Sequence, residues 1–359
     1  MNYQNFKERF VEDVRQTLYE KGNMDVEVTV NQIDKLNESY EAMTILTEGN
    51  NIGINFHLED YFEAYEDGMD YQDVVEKAAM DIEHHVVHMP EFDLNVITDY
   101  EQAKERLSIE VISAERNASV LEAVPHRVIE DMAVVYKINL EVGDDNGGTV
   151  LVNDHLLQLY GISAEQLHQD AAKNAPIIKP VIIQGMSKVI SSMMPPGEDE
   201  FIDTESFEQD EIMFVATVLD KNKGAGVLAY NGFMDYAAQR LGGDFFVLPS
   251  SVHEILLVKD DGSMSYRELK EMVEQVNEAE VSPEEQLTNS VYHYDSKHKV
   301  FELGEKFEQR RSIEKIGEKT ERNSVLKDLK EKQMTASEKS VVPREDKIPS
   351  SKSRGGNEL

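Results

Sequence analysis

The apolar pattern predicts an α+β protein with mixed, largely antiparallel sheets and packed helices. Three observations carry this. Runs with strand character lie in adjacent pairs joined by short turns. Amphipathic stretches with four-residue spacing interrupt them, without a strict strand–helix–strand rhythm. The 359-residue chain is 40% hydrophobic and 30% charged, enough for a buried core under a water-facing surface.

The elements follow in order. Phe6, Phe10, Val14 and Leu18 recur every four residues, predicting a helix over 3–21 that stops at Gly22-Asn23. Val26, Val28 and Val30 alternate as in a half-buried strand. YEAMTILT (40–47) and NIGINFHL (51–58) flank Glu48-Gly49-Asn50 as a hairpin. EDYFEAYEDG (59–68) is a short acidic helix ending at Gly68. Val74, Val75, Ala78, Ala79, Ile82 and Val86 predict a further helix, closed by Met89-Pro90.

LSIEVIS (107–113) is a strand, and AVVYKINLEV (133–142) and TVLVN (149–153) are two more around the loop 143–148. DHLLQLYG (154–161) is a short helix, and Ser163 with Gln166 forms a capping box for the next. After the loop MMPPGEDE (193–200) come strands EIMFVATVL and VLAY, and helix NGFMDYAAQRLGG. Strands DFFVL and EILLV and helix SYRELKEMVEQVNEAE follow. Ser282-Pro283-Glu284-Glu285 starts one more helical turn, and VYHYD and VFEL close the fold as paired strands. Three regions result: an α-β-β-β-α unit over 1–92, a main α+β domain over 93–304, and a charged tail over 305–359, partly helical and then disordered by composition.

Net charge is −34 and unevenly placed. Residues 305–359 hold 14 Lys and Arg against 11 acids, so residues 1–304 carry the negative excess. Such a body repels phosphate backbones, which disfavours direct nucleic-acid binding through it. It suits solubility, a basic protein partner, or mimicry of DNA. No apolar run reaches the roughly 18 residues of a membrane helix, so no membrane role is expected. The first residues lack the apolar block of a signal peptide. The chain has no cysteine, which excludes disulfides and thiolate chemistry and makes cytoplasmic residence the simplest expectation.

The candidate chemical groups are few. His84 and His88 lie four apart on one helical face, as metal ligands do, with Glu83 or Asp81 at hand. Position 85 is His where a zinc-protease helix needs Glu, so favourable placement at a helix C-terminus competes. In LPSSVHE, Ser250, Ser251, His253 and Glu254 are the candidates for a hydrolase or a metal-dependent enzyme. The flanking glycines of a nucleophile elbow are missing, and position 257 is Leu where a second zinc-binding His would stand. A strand–turn–strand corner with serine hydroxyls on turn amides is the alternative. Asp144, Asp145 and Asn146 have calcium-ligand character without the EF-hand spacing, and KNKGAG (221–226) lacks the end of a phosphate loop. No motif implies a cofactor.

The segments FKERFVEDVRQ, PHRVIEDMAVVYKINL, TVLVNDHLLQLYGISAEQLHQDAAKNAP, LGGDFFVLPSSVHEILLVKDDG and ELKEMVEQVNEAEVSPEEQLTNSVYHYD resemble the domain-of-unknown-function family 5688. The resemblance covers roughly residues 1–304. It implies a soluble bacterial protein of Clostridia-like Firmicutes, and brings no reaction, cofactor or catalytic residue.

Overall fold

The computed structural model describes residues 1–22, 24–47, 53–88, 93–140, 148–193, 211–313, 329 and 332. The chain divides into two compact units, Met1–Gly304 and Glu305–Leu359. The first is α+β, and every strand pairing among its described residues is antiparallel. In the second, residues 305–313 are helical; the rest of the predicted tail lies outside the described residues, apart from positions 329 and 332.

The chain opens with α1 (Tyr3–Gly22), β1 (Val26–Lys35), β2 (Glu38–Thr47), β3 (Ile54–His57), α2 (Leu58–Glu66) and α3 (Tyr71–Val87). The three strands form a sheet in the order β1-β2-β3. The β2–β3 pairing is the predicted hairpin; its turn, 48–52, lies outside the described residues. Strand β1 runs five residues beyond its Val alternation. It pairs with β2 along its length, from Val26↔Thr47 to Lys35↔Glu38. Asn37 makes the turn at φ 65, a conformation its short polar side chain tolerates. The stripe Phe6, Phe10, Val14 and Leu18 is fully buried, against Met43, Ile45 and Phe56 of the sheet and Val74, Val75, Ala78 and Ile82 of α3. Four-residue spacing on both helices puts each stripe on one face.

The larger part contains α4 (Asn95–Thr98), α5 (Tyr100–Ala103), β4 (Leu107–Ser113), α6 (Ala118–Leu121), β5 (Arg127–Ile129), β6 (Met132–Leu140), β7 (Gly148–Leu151), α7 (Asp154–Tyr160), α8 (Ala164–Ile178), β8 (Val181–Gly185) and α9 (Met186–Met193). Then come β9 (Met213–Val218), a 3-10 turn (Gly224–Ala229), α10 (Phe233–Leu241), β10 (Phe245–Leu248), β11 (Ile255–Lys259), α11 (Tyr266–Ala279), β12 (Tyr292–Asp295) and β13 (Val300–Leu303). Strands β4, β6 and β5 form one sheet with β7 added to β6, and β13-β12-β10-β11-β9-β8 form a second.

Alternation assigns the faces. On β4 and β6, the cross-strand pairs Ile109↔Tyr136 and Val111↔Val134 point into the main core. Phe214, Ala216, Phe245, Val247, Leu257 and Tyr292 enter it from the six-stranded sheet. Leu167, Ala171 and Ala175 of α8 complete it on one side.

The structure departs from the sequence reading at several places. VLAY is the end of the 3-10 turn, not a strand, because short apolar runs do not distinguish the two. Here the geometry is set by close approach. A Cβ on Gly226 would stand 2.5 Å from the Ile109 carbonyl oxygen, so the turn lies directly on the backbone of β4. Strand β8, helix α9 and the short elements α4, α5, α6 and β5 lie where the sequence reading placed none. Ser163 takes the Gln166 N–H at 3.1 Å, but the Gln166 side chain turns to Asp170, so the predicted capping box is half formed. A complete box occurs at Ser265 and Glu268, where both reciprocal bonds are made.

Candidate functional site

His84 and His88 are exposed at the end of α3, with ring centroids 4.4 Å apart. His88 Nδ1 lies 2.7 Å from the His84 carbonyl oxygen and His85 Nδ1 2.7 Å from that of Asp81. Two of the three rings thus sit on backbone carbonyls of the last turns. Among the described residues no group of three or more His, Asp or Glu side chains is placed to hold a metal ion. Asp144, Asp145 and Asn146 lie outside the described residues.

The LPSSVHE segment forms a corner between β10 and β11. Its backbone is tied to a second loop, which leads from α11 into β12. Val252 N–H donates to the Glu285 carbonyl at 2.9 Å, Leu287 N–H donates to that of Ser250 at 2.9 Å, and Ser251 pairs with Gln286 as an isolated bridge. The Ser251 hydroxyl oxygen accepts the His253 N–H at 3.0 Å, which is how a serine satisfies a turn amide. Ser250 is half-buried and Glu254 exposed.

His253 does share a site with an acid. Its Nε2 stands 3.3 Å from Glu285 Oε1, and its Nδ1 accepts the Lys223 N–H at 3.3 Å. That contact fixes the tautomer with hydrogen on Nε2, facing the carboxylate. The His253 carbonyl takes the Thr217 hydroxyl at 2.7 Å and the Gly224 N–H at 3.0 Å. Gly224 is required here: a Cβ would stand 2.1 Å from Thr217 Oγ1 and 2.4 Å from the His253 oxygen. The glycines of KNKGAG therefore serve close packing. The corner joins the 3-10 turn to the loop at 282–290.

That loop lines a cleft of about 390 Å³, which no motif had marked. Ser113, Glu115 and Arg116 reach it from the end of β4, Asp131 from the β5–β6 turn, and Gln286 to Ser290 from the loop. Asp131 organises it. Its Oδ2 accepts the Thr288 hydroxyl at 3.1 Å and the Ser290 hydroxyl at 2.7 Å, and its Oδ1 accepts that of Tyr292. Burial and the Asp131 charge push the Tyr292 phenol far above its ordinary pKa, so it stays a neutral donor. Arg116 donates to the Pro283 carbonyl and to Gln286 Oε1, each at 2.5 Å. Asn277 fastens the loop to α11, donating to the Thr288 carbonyl at 3.0 Å and to Asn289 Oδ1 at 2.6 Å.

One signal for this cleft was present in the sequence. Thr288, Ser290 and Tyr292 alternate, so an extended segment places three hydroxyls on one side. Their common acceptor, Asp131, is 157 residues from Thr288 and carries no local signature.

Residues 3–296 match a family described as a family of unknown function (DUF5688). The chain belongs to this family. The matched range takes in all of β12, and with it the corner and both edges of the cleft. No curated protein and no solved structure matches the chain. No helix among the described residues is long and apolar enough to cross a membrane.

Proposed function

We propose that this member of the family is a cytoplasmic binding protein that engages a basic protein partner through its acidic body, with the 305–359 segment as a tether. The observation that supports this is an unneutralised acidic face on α2 and α3. Between Leu58 and Glu83 the chain has ten acids and one cation, Lys77. Two of those acids form ion pairs, Glu76 with Lys21 at 3.1 Å and Asp81 with Lys77 at 3.9 Å, and Asp70 caps α3. Asp60, Glu63, Glu66, Asp67 and Asp73 are exposed and make no ion pair among the described residues.

Like charges held this close raise the energy of the free surface, and an incoming cation relieves it. An open depression of about 600 Å³ beside the face adds a seat for a side chain. Glu66 and Asp70 give it carboxylates; the Met1 ammonium already donates to the Tyr65 hydroxyl there at 3.2 Å, and Arg9 already lies 4.5 Å over the Tyr71 ring. The two carboxylates are the groups there that suit a further Lys or Arg side chain.

The test is binding of a fluorescent Lys- and Arg-rich peptide to the full chain. Converting Glu63, Glu66, Asp67 and Asp73 to their amides removes four charges. At about 0.5 kcal/mol each, affinity falls by about 2 kcal/mol, or ~30-fold, at low salt. Converting Glu271, Glu274 and Glu278 on α11 is the control and changes it by less than about threefold. Equal losses from both sets, or no binding at low salt, would overturn the assignment.

A further inference from the structure

We infer that the cleft shared by Arg116 and Asp131 binds a small amino or hydroxy acid, with Arg116 taking its carboxylate. Four features lead there, none of which involves the acidic face of α2 and α3.

The first is the state of Arg116. Its guanidinium is exposed and held by two neutral acceptors, the Pro283 carbonyl and the Gln286 side-chain oxygen. No carboxylate pairs with it among the described residues, although Glu115 is its neighbour and the body is strongly acidic. Two bonds use two of five donors. What remains is a cation with a fixed orientation and open hydrogens, the arrangement that recognises a planar carboxylate.

The second is the state of the hydroxyls. Asp131 accepts from Thr288, Ser290 and Tyr292, so all three hydrogens are committed to one carboxylate. The Ser290 oxygen keeps lone pairs and becomes an acceptor in the cleft. Thr288 Oγ1 already accepts the Ser290 N–H at 3.0 Å. A ligand for this surface carries donors, an ammonium or hydroxyls, near its acid group.

The third is charge. Asp131 and Glu115 both line the cleft with a single guanidinium. Two carboxylates beside one cation disfavour a dianionic phosphate and tolerate a monoanionic acid bearing an ammonium or hydroxyl. The fourth is size. A cleft of about 390 Å³ lies at the small end of ligand sites, which suits a molecule of this class.

The experiment uses the full chain and isothermal titration calorimetry. The probes are the neutral free amino acids and lactate, with malate, citrate and inorganic phosphate as the polyanions that the cleft should reject. At least one monoanionic acid is expected to bind with Kd below ~1 mM, and more tightly than malate, citrate or phosphate. Arg116→Gln keeps a donor for the Pro283 carbonyl and removes the charge and fork; it is expected to weaken that acid at least about tenfold. Thermal unfolding without ligand checks that the variant folds, and Arg116→Lys replaces it if it does not. Lys keeps the charge and loses the fork, and is again expected to cost about tenfold. The inference is overturned if no monoanionic acid binds with Kd below ~1 mM. It also falls if the folded variant loses less than about tenfold in affinity, or if phosphate, malate or citrate binds more tightly than every monoanionic acid.

Discussion

Asp131→Ala isolates the group that ties the β5–β6 turn to the loop before β12. Three hydroxyls lose one acceptor. Tyr292 is fully buried, so its hydroxyl has no ready water and is left unsatisfied, at about 1–3 kcal/mol. Thr288 and Ser290 are half-buried at the cleft and can turn to solvent, at about 0.5 kcal/mol each. Together these give about 3 kcal/mol. Tyr292→Phe removes the donor instead of the acceptor and leaves Asp131 two hydroxyls, so it costs about 1.5 kcal/mol. In the double variant no buried hydroxyl is orphaned. Its cost therefore falls short of the summed single costs by about 1–1.5 kcal/mol. Urea unfolding followed by circular dichroism reads all three, with an unchanged slope as the check that only stability moved. Additivity within about 0.4 kcal/mol would refute the bond between Asp131 and Tyr292 as an energetic link. A cost for Asp131→Ala under about 0.5 kcal/mol would refute Asp131 as the anchor of the cleft.

Two further outcomes are expected. Gly224→Ala drives a methyl against Thr217 and the His253 carbonyl, so it lowers stability by about 3 kcal/mol. Gly68→Ala, at φ 101 with open space around it, costs about 1 kcal/mol; equal urea midpoints for the two would refute the packing role. Burial raises the phenols of Tyr136, Tyr160 and Tyr294 to about 12, with Asp235 adding to the rise at Tyr294. A phenol raised in the fold stabilises fully below its unfolded pKa of about 10, and that contribution disappears as pH climbs through the folded value. Melting temperature should therefore fall between about pH 10 and 12, with phenolate absorbance rising in step with unfolding. A rise complete near pH 10 in a still-folded protein would contradict it.

Much of the architecture could be read locally. The four-residue stripe of α1, the hydrophobic run of α3 and the alternating pairs on β4 and β6 each report a burial pattern that backbone period enforces. The α+β class and the antiparallel pairing follow, because short turns join the strands. The mistaken strand at VLAY marks the limit. Those residues have strand composition, and only the 2.5 Å approach of Gly226 to β4 makes them a 3-10 turn. Ser163 and Ser265 mark it again. Both precede a partner three residues on, yet Gln166 finds Asp170 instead while Glu268 returns to its cap.

The candidate sites divide the same way. Composition and spacing settled which ready-made motifs are missing: no thiol, no elbow glycines, and Leu at position 257 where a second histidine would stand. Composition also located the negative charge. Composition could say nothing of which distant groups meet, since contacts between residues far apart in sequence depend on how the sheets pack. His253 meets Glu285 because the corner pairs with the loop after α11. Asp131 gathers three hydroxyls because the β5–β6 turn and β12 adjoin in space. Local periodicity dictates elements and their faces; the loops those elements bring together decide where polar groups converge, and there the tertiary structure alone is informative.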